Sequence, residues 1–241
     1  MLQIFDDRDA LAQGAAALFA ELAHNAVADH DRFTVLLAGG ETPRLTYQAL
    51  AQEPYRSTVP WDKVHVFWGD ERCVPEDDPR SNALMARQAL LDHVAVRAEN
   101  IHPIRSNGLP QQVADAYGVE LAEYFGWEAP CFDLVLLGLG DDGHTLSLLP
   151  GSAALKEHLR WTAVAKRPEE DFSRVTLTAP IVNQAATILF LVAGSGKAQV
   201  LPHVLEDADP PYPAQLIQPD SGDLRWFVDR DAAQEISEQN D

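Results

Sequence analysis

Apolar residues along this chain switch repeatedly between two periods. From Arg8 to about His30, Leu11, Ala15, Leu18 and Leu22 recur at helical spacing. The run Phe33-Thr34-Val35-Leu36-Leu37-Ala38 is short, almost wholly apolar and ends in Gly39-Gly40, so it predicts a buried strand entering a turn. Thr42-Pro43 then predicts a helix start, with Thr42 as the N-cap and Pro43 at the first helical position. A second strand, Val64–Trp68, stops at Gly69-Asp70-Glu71-Arg72. Ser81 is placed to cap a helix running through Met85, Ala89 and Leu90, and a further helix spans about Pro110 to Phe125. Phe132–Leu137 is the most apolar strand and ends in Gly138-Leu139-Gly140-Asp141-Asp142-Gly143-His144. Later strands are expected at Trp161–Ala165, Val175–Thr178, Ile188–Val192 and Leu224–Asp229, with a helix beginning near Gly196-Lys197 between the last two.

This alternation is the signature of an α/β fold with an open, mostly parallel sheet, helices on both faces and three layers, a modified Rossmann-like arrangement. No repeat, low-complexity tract or linker interrupts it. Pro210-Pro211-Tyr212-Pro213 reads as a rigid surface loop, so residues 1–241 are expected to form one domain. In open α/β sheets the ligand crevice lies beyond the carboxyl ends of the strands. Four glycine-bearing polar turns follow strand ends here, beginning at Gly39, Gly69, Gly138 and Gly194. If those strands are parallel neighbours, all four turns meet at one edge.

Charge narrows what such a site would bind. Lys and Arg number 18 against 37 Asp and Glu, a net charge of −19, and no Lys/Arg cluster is present, which disfavours nucleic acid. No apolar run approaches the roughly 20 residues that span a bilayer. Asp6, Asp7, Arg8 and Asp9 interrupt any apolar segment of the signal-peptide kind. Cys73 and Cys131 offer neither a disulfide framework nor metal-type spacing, and the expectation is a cytoplasmic protein with two reduced thiols. In so acidic a chain, the few cations beside glycine-rich turns become informative.

Gly39-Gly40-Glu41-Thr42-Pro43 joins a strand to a helix. Its glycines allow close backbone approach and its free N–H groups suit a phosphate, although a plain tight turn with a Thr cap would read the same way. Lys197, after Gly194-Ser195-Gly196, would add a point charge or simply sit in solvent. Arg72 and Arg174 each end or begin a strand; either can fork onto a phosphate or carboxylate, or pair with acidic neighbours. Gly138-Leu139-Gly140-Asp141-Asp142-Gly143 matches the dinucleotide pattern G-x-G-x-x-G. That pattern requires a long helix directly afterwards, whereas Pro150-Gly151 stops anything beginning at His144, and two aspartates would repel a pyrophosphate. Asp142-Gly143-His144 suits proton transfer better: a histidine titrates near neutrality, and a carboxylate two residues away can orient its ring. A structural histidine at a capped turn is the competing explanation. The eight histidines show no H-x-x-x-H or H-E-x-x-H spacing, so no metal site is expected.

At these turns the chain resembles the 6-phosphogluconolactonase family. The similar stretches are Leu37–Pro43, Trp68–Val74 with Ser81-Asn82, Leu137–Thr145 with Ser147, Arg174–Thr178 and Gly194–Lys197, in the family's order. The resemblance implies hydrolysis of 6-phospho-D-glucono-1,5-lactone in the oxidative pentose phosphate pathway, with a small sugar-phosphate lactone as partner and no cofactor. It implies His144 as the base for water with Asp142 orienting it, and Gly39, Gly40, Thr42, Asp70, Arg72, Arg174 and Lys197 as substrate and phosphate contacts. One departure stands out: the family usually has Ser after the double glycine, and here Glu41 follows, a carboxylate expected to point away from a phosphate. The fold is shared with glucosamine-6-phosphate deaminases and with sugar-phosphate-sensing domains of regulators. The deaminase pattern resembles D-G-H-I-x-F-N-E-P, whose Glu handles protons; the corresponding residue before Pro150 is Leu149, which cannot. A sensor would need a DNA-reading module, for which residues before 33 leave no room. The oligomeric state stays open, and a monomer is compatible with the pattern.

Overall fold

The computed structural model describes residues 1–206 and 211–236. Among these residues ten strands and seven α-helical segments follow in chain order: β1 Leu2–Phe5, α1 Arg8–His30, β2 Phe33–Leu37, α2 Glu41–Leu50, α3 Tyr55–Thr58, β3 Val64–Trp68, β4 Asp70–Arg72, α4 Asn82–Ala86, β5 Ile101–His102, α5 Pro110–Tyr124, β6 Leu134–Gly138, β7 Thr162–Ala165, β8 Arg174–Leu177, α6 Ala179–Val182, β9 Thr187–Val192, α7 Val200–Leu205 and β10 Asp223–Asp229. Seven strands form one sheet in the order β1-β10-β9-β6-β2-β3-β5, and every neighbouring pair is parallel. The architecture is the expected three-layer α/β fold. Among the described residues no helix is long and apolar enough to cross a membrane.

The strand sequences explain their places. All residues of β2 and β9 are buried, as are Leu134 to Leu137 of β6, and apart from Thr34 and Thr187 they are apolar, the mark of a sheet covered on both faces. From β2 the chain steps outward through β3 to β5, then returns on the other side of β2 with β6, β9 and β10. The direction reverses between β2 and β6, and at such a switch point the loops leave a crevice at the carboxyl ends. Because β9, β6, β2 and β3 are consecutive neighbours, the four glycine turns do share one edge.

Several sequence expectations need correction. Trp161–Ala165 and Val175–Thr178 are strands, within a residue at each end, but they do not enter the main sheet. With β4 they form a second, antiparallel sheet in the order β4-β8-β7. Asp70-Glu71-Arg72, expected as a turn, is therefore an edge strand, bonded to β8 so that Arg72 lies opposite Arg174. Strands this short carry little periodic signal, which also explains why the sequence does not announce the four-residue β1 or the two-residue β5. Thr42 is not the cap of α2. The helix begins at Glu41 and its cap is Gly40, whose φ of 106° only glycine adopts readily and which supplies no side-chain cap. The strand expected at Phe132 begins at Leu134. No helix begins at His144; residues 141–150 are turns and bends with a bridge between Thr145 and Leu148. Of the expected proline loop, Pro210 lies outside the described residues, and Pro213 opens a single 3-10 turn, Pro213–Leu216.

Candidate active site

The crevice at the switch point is a cavity of about 310 Å³. Gly39, Gly40, Thr42, Asp70, Arg72, His144, Arg174 and Lys197 all line it, so eight of the nine residues singled out in the sequence meet there. Asp142, the ninth, stands behind His144.

The β6 loop is built around the histidine. The Gly140 N–H donates to the His144 carbonyl at 2.8 Å, and the Gly143 N–H to the Gly140 carbonyl at 3.0 Å, curling the loop back on itself. A Cβ on Gly140 would lie 1.9 Å from His144 Nδ1, so the missing side chain is what makes room for the ring. Asp142 Oδ1 is 2.5 Å from Nδ1 and also accepts the His144 backbone N–H at 3.2 Å. An ionised carboxylate only accepts, so Nδ1 carries the proton and Nε2 presents its lone pair. Burial works to raise the Asp142 carboxyl, but its hydrogen bonds to His144 and Arg167 hold it down at about 2. The pair is thus an imidazole oriented by a charged carboxylate.

Cations face this base across the cavity. Lys197 Nζ contacts the exposed carboxylate of Asp141, a partner an incoming anion can displace. Arg174 is buried and forked onto Glu170, with Nε to Oε2 at 2.9 Å and Nη2 to Oε1 at 2.5 Å. Burial opposes the Arg174 charge, but the Glu170 hydrogen bonds and the nearby Asp70 carboxylate raise its proton affinity above the ordinary value. Arg72 donates from Nη1 to the Arg80 carbonyl, while its buried Nε has no partner among the described residues. The α2 N-terminus, without a side-chain cap, adds backbone N–H groups directed at the same space.

Two acidic groups behave differently from their neighbours. Asp70 is buried in the wall and its oxygens are already engaged, Oδ2 by Ser147 Oγ at 2.6 Å and Oδ1 by Asn82 Nδ2 at 3.2 Å. It holds Asn82 and Ser147 in place. Glu71 does not pair with the Arg72 guanidinium. It accepts from the backbone of Arg72, Asn82 and Ala83 and from Ser81 Oγ, and burial raises its carboxyl in spite of those bonds. Glu41 borders the cavity, but Arg44 grips its carboxylate with Nε at 2.9 Å and with Nη2. That grip, opposed by slight burial, lowers the Glu41 carboxyl.

Sequence reasoning missed Arg167 and Glu170. Both sit on the β7–β8 connection inside the charged run Lys166-Arg167-Pro168-Glu169-Glu170-Asp171, which reads as a solvated loop. No spacing marks Arg167, whose Nη2 lies 2.9 Å from Asp142 Oδ2. Among the described residues no three His, Cys, Asp or Glu side chains are grouped to hold a metal ion.

A family model described as glucosamine-6-phosphate isomerases/6-phosphogluconolactonase matches residues 6–226. A 6-phosphogluconolactonase from a Synechocystis species is 45% identical over 217 residues, 88% of each chain. The structure of 6-phosphogluconolactonase from Trypanosoma brucei superimposes with a TM-score of 0.88 at 28% identity, over 98% of both chains. A monomeric glucosamine-6-phosphate deaminase shares the fold, with a TM-score of 0.81 at 20% identity, over 97% of this chain and 99% of that one.

Proposed function

The chain belongs to the glucosamine-6-phosphate isomerase/6-phosphogluconolactonase family, and we propose that it hydrolyses 6-phospho-D-glucono-1,5-lactone with His144 as general base. One observation carries the assignment of roles: an Asp142-oriented histidine opens onto a cavity whose other walls hold three cations.

The substrate's 6-phosphate is anchored by Lys197 and Arg174 with the uncapped start of α2, Gly40 to Thr42. This places the lactone carbonyl near His144. Nε2 takes a proton from water as the water oxygen attacks C1, and the imidazolium formed is stabilised by Asp142. Arg72 faces the same space and offsets the negative charge developing on the carbonyl oxygen. As the bond from C1 to the ring oxygen breaks, His144 returns its proton to that oxygen, giving the open-chain acid and the neutral base again; the new carboxyl group then loses its proton to solvent, leaving 6-phospho-D-gluconate. No cofactor or metal takes part in this scheme. Asp70 serves as a wall residue through Asn82 and Ser147. We place the reaction in the cytoplasm, carried out by one domain over residues 1–241, with the oligomeric state unassigned.

The deaminase alternative needs a second acid at the turn before Pro150. That position is Leu149, which is 3% exposed and packed in the hydrophobic core. The deciding assay couples lactone hydrolysis to 6-phosphogluconate dehydrogenation and subtracts the spontaneous rate. Hydrolysis above background is expected; ammonia released from glucosamine 6-phosphate, with no hydrolysis, would overturn the reading.

A further inference from the structure

We propose that Arg167 is a positioning residue of this site: it clamps Asp142 and offsets that carboxylate's charge at the imidazole, keeping His144 an unprotonated base to lower pH. The proposal rests on His144 being the base.

Asp142 is held from two sides. Its Oδ1 faces the His144 ring nitrogen at 2.5 Å, and its Oδ2 accepts from Arg167 Nη2 at 2.9 Å. The same Nη2 lies 3.0 Å from His144 Nδ1. Because Nδ1–H is given to Asp142, that second approach is not a hydrogen bond in the working tautomer. It is a fixed positive charge at the edge of the ring. A carboxylate beside an imidazole favours the protonated form, and a guanidinium disfavours it. A dyad of Asp142 and His144 alone would therefore tend to hold the proton that a base must lack. Arg167 supplies the opposite charge at nearly the same distance, and a guanidinium stays charged across the whole range in which histidine titrates.

Arg167 is itself secured. Only a quarter of its side chain is exposed, Nη1 lies 3.7 Å from Glu169 and Nε 4.0 Å from Glu170, whose Oε1 also holds Arg174. The remaining charged groups around the ring come from every adjoining element. Asp141 on the same loop is tied to Lys197 beyond β9, Asp70 and Arg72 stand on β4, Arg174 begins β8, and Glu41 opens α2 in the grip of Arg44. Beneath Gly143 lies the ring of Tyr212. Among the described side chains only Arg167 makes a polar contact with both members of the dyad.

The test compares wild type with Arg167→Met, Arg167→Gln and Arg167→Lys, after thermal melts identify which variants are folded. Two readouts are taken from about pH 5 to 8: kcat/KM for the phosphorylated lactone, and the NMR titration of the His144 ring. The neutral variants should move the acid limb and the NMR midpoint upward together by about one pH unit, while Arg167→Lys, which keeps the charge, should stay near wild type. A lower kcat at every pH with unmoved midpoints would mean that Arg167 only tethers a loop, and would overturn the proposal. So would a lysine variant that shifts as far as the neutral ones. Absence of hydrolysis by the wild type would sink the lactonase reading instead, and the NMR midpoints would still decide the role of Arg167.

Discussion

Replacing Gly140 by Ala puts a methyl group where the His144 ring stands. The added Cβ would fall 1.9 Å from Nδ1, 2.2 Å from Cε1 and 2.8 Å from Asp142 Oδ1, whereas ordinary contact begins near 3.4 Å. The ring must therefore retreat by about 1.5 Å or rotate, and either movement strains the 2.5 Å link to Asp142. Backbone strain does not confuse the result, because Gly140 is not among the glycines with positive φ. A misplacement of about 1 Å in a reacting group is worth about 100-fold, and general-base assistance as a whole about 10²–10⁴-fold. Gly140→Ala should thus lose about two orders of magnitude in kcat. The phosphate anchors lie on other loops, so the dissociation constant for 6-phosphogluconate should stay within about threefold of wild type. The assay is coupled steady-state hydrolysis beside calorimetric binding of product, with a thermal melt to verify folding. A kcat within threefold of wild type would refute the reasoning, since the ring would then be free to move without consequence.

Other outcomes follow from the same geometry. Lys197→Ala and Arg174→Ala should each raise KM for the phosphorylated lactone about 10- to 100-fold, the range of one charged hydrogen bond, and leave hydrolysis of unphosphorylated gluconolactone nearly unchanged; equal losses on both substrates would contradict the phosphate assignment. Arg44→Met releases the Glu41 carboxylate at the cavity rim and should raise the same KM severalfold, an effect that adding Glu41→Ser should reverse; an unchanged KM in the single variant would show that the rim charge does not reach the phosphate. Burial, then the neighbouring His102 and Arg32, lowers the His65 pKa to about 4. His65 is thus neutral in the fold where an unfolded histidine charges near 6.5, so its contribution is present above that value and lost as pH falls toward 4. Urea titrations should show wild type losing more stability than His65→Gln across this window, by on the order of 1 kcal/mol after allowing for partial exposure; parallel losses would refute it.

How much of this was legible in sequence depends on how each group is specified. The parallel sheet showed itself because β2, β6 and β9 are mostly apolar runs closed by glycine turns, as burial on both faces of a sheet favours. Once those strands are neighbours, Gly39, Arg72, His144 and Lys197 must approach one another, whatever the loop details. The small sheet was hidden for the opposite reason. Asp70-Glu71-Arg72 and Arg174-Val175-Thr176-Leu177 form a polar, short ladder whose pairing is antiparallel and spans about a hundred residues, and no local period announces that. Thr42 looked like a cap because Thr before Pro commonly is one, but Gly40, at positive φ, starts the helix two residues earlier. Arg167 was invisible since its role comes from where the β7–β8 connection folds, over the Asp142 side of the loop, and not from the residues around it.

Water activation in this cavity depends on His144 more than on any other group. Its side chain should be replaced by Ala, and kcat for 6-phospho-D-glucono-1,5-lactone measured above the spontaneous rate together with the dissociation constant for product. A loss of about 10²–10⁴ in kcat, with product binding within threefold of wild type, is the predicted result. Turnover near the wild-type rate would contradict it, and would require the water to be activated by some other group in the cavity.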